Sequence, residues 1–306
     1  MKRVINMQRR IASNILPVIF FFFLNAHAFL QSGTIRAHET TDIAVIFTAN
    51  AAGQLLECSC GREQVVGGFS RCASVVDSLR LLYPNAVLVD AGDLFSSFVR
   101  TENDAILASI IARMRYDGIA VGEYEYVGGA ASLRARLAAG LPFVNANLEL
   151  NAAVPPFLSF ERGGKVYSIV GLTSEKGFRH YEKRRRPAGL RMVPAEFPAL
   201  FSRLAARSDV FITLAHGDQQ FVDEIAAQVP VGSLVIQGHW HRTFVPEKDG
   251  VRTIGEVTVV NPGSSGDFVG LALKSEQRGS WQIKHIWLTD AISKSTTIEK
   301  IIEGKK

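Results

Sequence analysis

Two histidines separated by one residue, His239 and His241, follow directly on an apolar run in Leu234-Val-Ile-Gln-Gly-His-Trp-His-Arg242. If the backbone stays extended past Gly238, residues two apart point to the same side. Both imidazoles then face one point, a geometry that suits a metal ion. Taken alone, the pair reads equally well as two surface loop histidines. Three more residues of ligand type stand in comparable places: Asp93 in Asp90-Ala-Gly-Asp93, Glu123 in Gly122-Glu-Tyr-Glu-Tyr126, and His216 before Gly217-Asp218. Each follows a short buried-strand pattern, where a polar or charged side chain is badly placed for a core and well placed for a cation. For Asp93 a helix or turn cap is the plain alternative. Imidazole with carboxylate suits one or two divalent transition ions, Zn, Mn, Fe or Co, rather than Ca.

The elements that must position these residues alternate between short apolar runs and helical periods. Strand patterns cover Ile43 to Thr48, Ala86 to Val89, Gly118 to Val121, Phe143 to Ala146, Val166 to Leu172 and Asp209 to Ala215. Helical spacing covers a segment through Val75, Val76, Leu79 and Leu82, then Asp104 to Met114, Ala131 to Ala139, Glu196 to Arg207 and Phe221 to Gln228. Thr101 and Asp104 stand in capping-box-like positions. Beyond the His-x-His stretch, Val251 to Val260, Phe268 to Leu273 and Trp281 to Leu288 alternate like antiparallel strands, with Asn261-Pro-Gly-Ser-Ser265 as a turn. This order reads as an α/β sandwich whose strand ends deliver ligands to one crevice. The run Lys183-Arg-Arg-Arg186 reads as a solvated loop, with attraction of an anionic substrate as the alternative.

The amino terminus stands apart. Lys2, Arg3, Arg9 and Arg10 precede an apolar run from Ile15 to Leu24 and the small residues Ala26-His-Ala28, the three parts of a secretory signal peptide. An uncleaved anchor is the alternative, although the run is short for a membrane span. The expected organisation is a signal peptide at 1–28, a linker at 29–41, one domain at 42–290 and a charged tail at 291–306. Export would place the protein in the periplasm or outside the cell, anchored only if the leader is retained, with no stable span after cleavage. Losing residues 1–28 leaves 30 basic against 29 acidic residues, so the net charge of +5 falls to +1 and gives no reason to expect a nucleic-acid polymer as partner. An oxidising compartment permits disulfides, yet there are only three cysteines, Cys58, Cys60 and Cys72. One bridge and a leftover thiol is the default reading, with metal ligation or thiol binding as the sharper one.

The order of these motifs resembles the amino-terminal calcineurin-like metallophosphatase domain of the bacterial 5′-nucleotidase family, from Ile43 to about Leu288. Thr48-Ala-Asn-Ala-Ala-Gly53, Gly67-Gly-Phe-Ser-Arg71, Gly92-Asp93, Gly122-Glu-Tyr-Glu125, His216 and Gly238-His-Trp-His241 follow the family's motifs in sequence. The resemblance implies a four-layer αββα sandwich and a dinuclear metal centre that hydrolyses a small phosphorylated or related ester. It implies Asp93 as the bridging carboxylate, with Glu123, His216, His239 and His241 as further ligands. Two motifs depart. The family's first-motif Asp and His fall on Asn50, a weak ligand, and Ala52, which is none. The family's catalytic histidine falls on Tyr124, and a phenol is the weaker general acid at pH 7. Cys58 and Cys60 are candidates to replace the lost ligands, as in an exported branch with a Cys-x-Cys element; a structural disulfide to Cys72 is the competing expectation. The family's nucleotide-binding carboxyl-terminal domain is not expected here. A slow or specialised phosphoesterase is therefore the leading expectation, a non-catalytic metal- or ligand-binding protein the alternative, and a thiol redox protein a third.

Overall fold

The structure, a computed structural model, describes residues 43–59, 64–149, 152–180, 197–275 and 279–304. The expected leader and linker, the Lys183–Arg186 run and Cys60 lie outside these residues.

Two six-stranded sheets carry the described chain. The first contains β1 (Ile43–Thr48), β2 (Val87–Asp90), β3 (Gly118–Ala120), β4 (Phe143–Val144), β11 (Phe268–Lys274) and β12 (Trp281–Trp287) in the order β12-β11-β1-β2-β3-β4. The second contains β5 (Phe157–Arg162), β6 (Lys165–Thr173), β7 (Val210–His216), β8 (Leu234–Gly238), β9 (Val251–Ile254) and β10 (Val257–Val260) in the order β5-β6-β7-β8-β10-β9. The central strands β1-β2-β3-β4 and β6-β7-β8-β10 are parallel, and the outer pairings are antiparallel.

Period-two alternation explains how the sheets stack. On β1, Ile43, Val45 and Phe47 face the space between the sheets, while Ala44 and Ile46 face helices. On β7, Val210, Ile212 and Leu214 look toward the first sheet, and Phe211 and Ala215 look outward. These strands are apolar on both faces because both are covered, as parallel sheets require. One outer layer comprises α1 (Phe69–Leu82), α2 (Thr101–Met114), α3 (Gly129–Ala138) and α7 (Thr296–Glu303), and the other contains α4 (Phe197–Ala205) and α5 (Gln219–Ala226). A one-turn helix, α6 (Pro246–Asp249), precedes β9. Three separate apolar clusters fill the three interlayer spaces, which is the expected αββα sandwich.

Several local expectations are corrected. The run Val251 to Val260 is not one strand but the hairpin β9–β10, turned at Gly255-Glu256. The Asn261–Ser265 segment does not join antiparallel neighbours; it carries the chain from β10 in one sheet to β11 in the other. Strand β5 was not expected, although Phe157-Leu-Ser-Phe-Glu-Arg162 is half-buried and pairs with β6. The domain does not end at 290, because Ile298 and Ile302 of α7, spaced i and i+4, are buried against α1 and α2. No capping box opens α2. Its N-cap position is Arg100 without a side-chain cap, and the Asp104 carboxylate is drawn 2.9 Å from the Arg136 guanidinium instead.

Candidate metal centre

Strand alternation places the site. His216 continues the series Val210, Ile212, Leu214, so its ring enters the seam between the sheets at the carboxyl end of β7. His239 follows β8 immediately, Glu123 lies three residues past β3 and Asp93 three past β2. Two sheets therefore contribute to one point, and they must approach closely. A Cβ at Gly238 would overlap the Ala91 carbonyl, and one at Gly122 would overlap the Asp93 carboxylate. That is why glycines stand beside the ligand-type residues. Asp93 and His239 adopt left-handed φ angles of 60° and 61°, a conformation that residues other than glycine rarely take and that concentrates at functional sites.

Asp93, Glu123, His216 and His239 each offer one ligand atom, and these atoms all lie within 4.8 Å of one another. His216 Nδ1 donates to the Ala91 carbonyl at 2.8 Å, which aims Nε2 at Glu123 Oε2 (2.7 Å) and Asp93 Oδ1 (3.4 Å). Metal-binding histidines are commonly oriented in this way, by a hydrogen bond from the distal ring nitrogen. His239 Nδ1 lies 2.8 Å from Glu123 Oε1, and His241 Nε2 lies 2.9 Å from Asp93 Oδ2. Yet His239 Nδ1 and Asp93 Oδ2 are buried without a well-formed hydrogen bond. Lone pairs brought together at contact distance, but not aligned on each other, fit a shared cation better than a hydrogen-bond network. The two Asp93 oxygens face different histidines, as a bridging carboxylate would.

The electrostatics agree. Burial opposes charge on His216, but the Asp93 and Glu123 carboxylates outweigh it and raise its pKa well above the ordinary value. Burial likewise opposes charge on His241, and the Asp93 and Glu123 carboxylates beside its Nε2 bring it to about 9. Burial alone would raise Glu123; the three imidazoles hold it well below the usual carboxylate range. A divalent cation would take the place of the protons that His216 and His241 otherwise carry.

The first-motif residues behave differently. Asn50 is fully buried, donates Nδ2–H to the Gly263 carbonyl at 2.7 Å and accepts the Trp240 N–H at 3.3 Å on Oδ1. It joins the β1 loop to the two segments flanking the second sheet's edge hairpin, and both of its side-chain polar atoms are taken up in these hydrogen bonds. Cys58 is disulfide-bonded, so its sulfur is not a thiolate ligand, and Cys72 is free and buried, so the expected bridge to Cys72 is not found. The other cysteine of the Cys-x-Cys pair, Cys60, lies outside the described residues. Tyr124 donates its backbone N–H to Asp93 Oδ1 at 3.0 Å, and its ring stacks on His241 with centroids 5.3 Å apart. Burial and the Asp93 and Glu123 carboxylates push its phenol up to about 12, so it stays neutral at pH 7.

One residue carries a role that sequence reading did not assign. Glu125 is completely buried, and its carboxylate accepts four backbone N–H groups: Asp93 (2.8 Å), Leu94 (2.7 Å), Phe95 (3.3 Å) and Gly122 (2.8 Å). It thus ties the loop holding Asp93 to the loop holding Glu123. Burial and the Asp93 carboxylate raise its pKa, and the N–H donors work against that rise. The alternation Glu123-Tyr-Glu125 was the only signal in the sequence.

No family model matches the chain. It is 23% identical over 334 aligned positions to the trifunctional nucleotide phosphoesterase protein YfkN of Bacillus subtilis (strain 168), covering 91% of this chain and 23% of that protein. It is 28% identical over 126 residues to human 5′-nucleotidase, covering 37% of this chain and 22% of that one. It therefore spans about a quarter of the length of these relatives. Among solved structures, the 5′-nucleotidase precursor from Thermus thermophilus superposes with a TM-score of 0.72 at 21% identity, over 86% of this chain and 58% of that chain. The chain thus has the calcineurin-like metallophosphoesterase fold, and its relatives in sequence and neighbours in structure are members of the 5′-nucleotidase and calcineurin-like phosphoesterase family.

Proposed function

We propose that the chain is a metal-dependent phosphoesterase acting on a small phosphate ester, with one well-formed ligand set and a depleted second one. The observation that carries this reading is the convergence of Asp93, Glu123, His216 and His239 within 4.8 Å at strand ends from both sheets. When bound, a divalent transition ion supplies Lewis-acid polarisation of the phosphoryl group and a nucleophile at neutral pH by acidifying water. The protein's own contributions are positional. Ala91 holds the His216 ring, Glu125 holds both carboxylate loops, and the close packing around Gly122 and Gly238 keeps bulk water from the buried side of the centre. Tyr124, neutral and stacked on His241, holds the position that the motif resemblance gives to the family's catalytic histidine and is a hydrogen-bond donor candidate for the leaving oxygen. The amino-terminal pattern supports export, and no helix among the described residues is long and apolar enough to cross a membrane.

A second reading, a non-catalytic metal- or ligand-binding protein, is favoured by Ala52, Tyr124 and the engagement of both Asn50 side-chain atoms in hydrogen bonds to Gly263 and Trp240. Turnover separates the two. Protein loaded with Zn, Mn, Fe or Co in turn is assayed on para-nitrophenyl phosphate and a broad nucleotide panel. Metal-dependent hydrolysis that disappears in His216→Ala supports the enzyme, and absence of turnover with every ion supports the binding protein.

A further inference from the structure

Beside the metal centre, on the side of His239 and His241, opens a groove of about 450 Å³ walled by Trp240, Arg242, Gln219 and Gln220. This is the size of a small-ligand site, and it is continuous with two of the histidines. Its charge is unbalanced in a specific way. Asp218, the acidic residue on its wall, is already neutralised by Lys176 at 2.6 Å and accepts the Phe221 N–H at 3.0 Å. Arg242 has no carboxylate partner among the described residues. Its guanidinium instead lies over the Trp240 ring, with Cζ 3.9 Å from the centroid. Trp240 is 7% exposed and its backbone is anchored by Asn50, so the platform is rigid. Stacking fixes the guanidinium while leaving its N–H donors free, which is the arrangement that recognises a planar or tetrahedral anion bidentately.

We propose that Arg242, held on Trp240, is a specificity-determining residue that binds a second anionic group of the ligand, so that the groove selects phosphate esters carrying another phosphate or carboxylate. The substrate part of this inference rests on the phosphoesterase reading; the binding part does not. A guanidinium presented one residue after the His-x-His pair lies on the same loop as His241, so a small ligand can span both. No neighbouring acid among the described residues competes for it. An anion-bearing ester therefore gains a charge-assisted pair that a neutral ester of the same shape lacks.

The test uses two nearly isosteric probes, 3-phosphoglycerate and glycerol 3-phosphate, which differ by a carboxylate in place of a hydroxymethyl group. Calorimetric binding to the metal-loaded protein and kcat/KM are both measured. The wild type should favour 3-phosphoglycerate by roughly tenfold in Kd. Arg242→Ala should bring the ratio near one, and Arg242→Lys should keep part of the preference. Equal binding of the probes by the wild type, or a preference that survives Arg242→Ala, overturns the proposal. If neither probe is hydrolysed but the binding preference appears and is lost in Arg242→Ala, the groove assignment stands, and the phosphoesterase reading falls if para-nitrophenyl phosphate and the nucleotide panel are not hydrolysed either. If both probes are hydrolysed with no preference between them, the phosphoesterase reading stands and the groove assignment falls.

Discussion

Asn50→Asp would change one atom type at the position where the family's motif has a ligand. The backbone at residue 50 is left-handed, with φ 58°, and Asn and Asp both tolerate that conformation, so strain does not enter. What changes is the fully buried contact to Gly263. Asn50 Nδ2–H now donates to that carbonyl at 2.7 Å; a carboxylate oxygen would face it instead, acceptor against acceptor. A buried acceptor left without a donor costs about 1–3 kcal/mol. A buried charge without its partner typically costs about 3–5 kcal/mol. These overlap rather than add, so the metal-free variant should lose about 3 kcal/mol, which in a domain of this size lowers Tm by roughly 6–12 °C. Urea unfolding of the chelator-treated protein, followed by circular dichroism, gives the number directly. Excess Zn or Mn should shrink the deficit, because a cation drawn to the new carboxylate would neutralise it. A metal-free variant within about 0.5 kcal/mol of wild type would refute the assignment of Asn50 as a buried bridge.

Three other outcomes follow from particular contacts. Glu125→Gln keeps the shape but presents an amide NH₂ to two of the four N–H donors, so stability should fall by about 2–5 kcal/mol in chemical denaturation; a change below about 1 kcal/mol would contradict the clamp. His285 is lowered by burial below its ordinary value of 6.5, and it lies 2.7 Å from the Asn261 carbonyl. The unfolded chain therefore takes up this proton first as pH falls, so wild-type stability should decline below pH 6.5 down through the folded pKa, more steeply than that of His285→Gln; parallel curves would dismiss the effect. Restoring a histidine with Tyr124→His should raise kcat on a poor leaving group such as glycerol by roughly 100-fold if general acid catalysis is what the phenol fails to supply, whereas an unchanged rate would remove Tyr124 from the chemistry.

The ligand-type residues were legible because strand ends announce themselves: an apolar run, a glycine, then an acid or imidazole, recurring along the chain. The sandwich was legible for the same reason, since runs such as Ile43–Thr48 and Leu234–Gly238 are too apolar for a one-sided sheet. Pairing partners were not. Val251 to Val260 alternates as well in one strand as in two, and only the antiparallel pairing of its halves, turned at Gly255 with φ 57°, reveals the hairpin. The carboxyl-terminal helix was hidden because its apolar stripe rests on Ile298 and Ile302 among charges. Asn50 and Glu125 escaped because their work is done through partners distant in sequence, such as Gly263 for Asn50 and Leu94 for Glu125. No local pattern encodes such a contact. The fate of the cysteines was equally invisible, since three thiols permit every pairing until Cys72 is seen buried in the core.

The central claim is that four residues from two sheets form one complete ligand set and that the neighbouring set is incomplete. Elemental analysis of the chain purified without chelator tests it most directly. The account predicts one divalent transition ion per chain, lost in Glu123→Gln and in His216→Ala and retained in Asn50→Ala. No metal above background in the wild type, or two ions per chain that survive loss of His216, would contradict it.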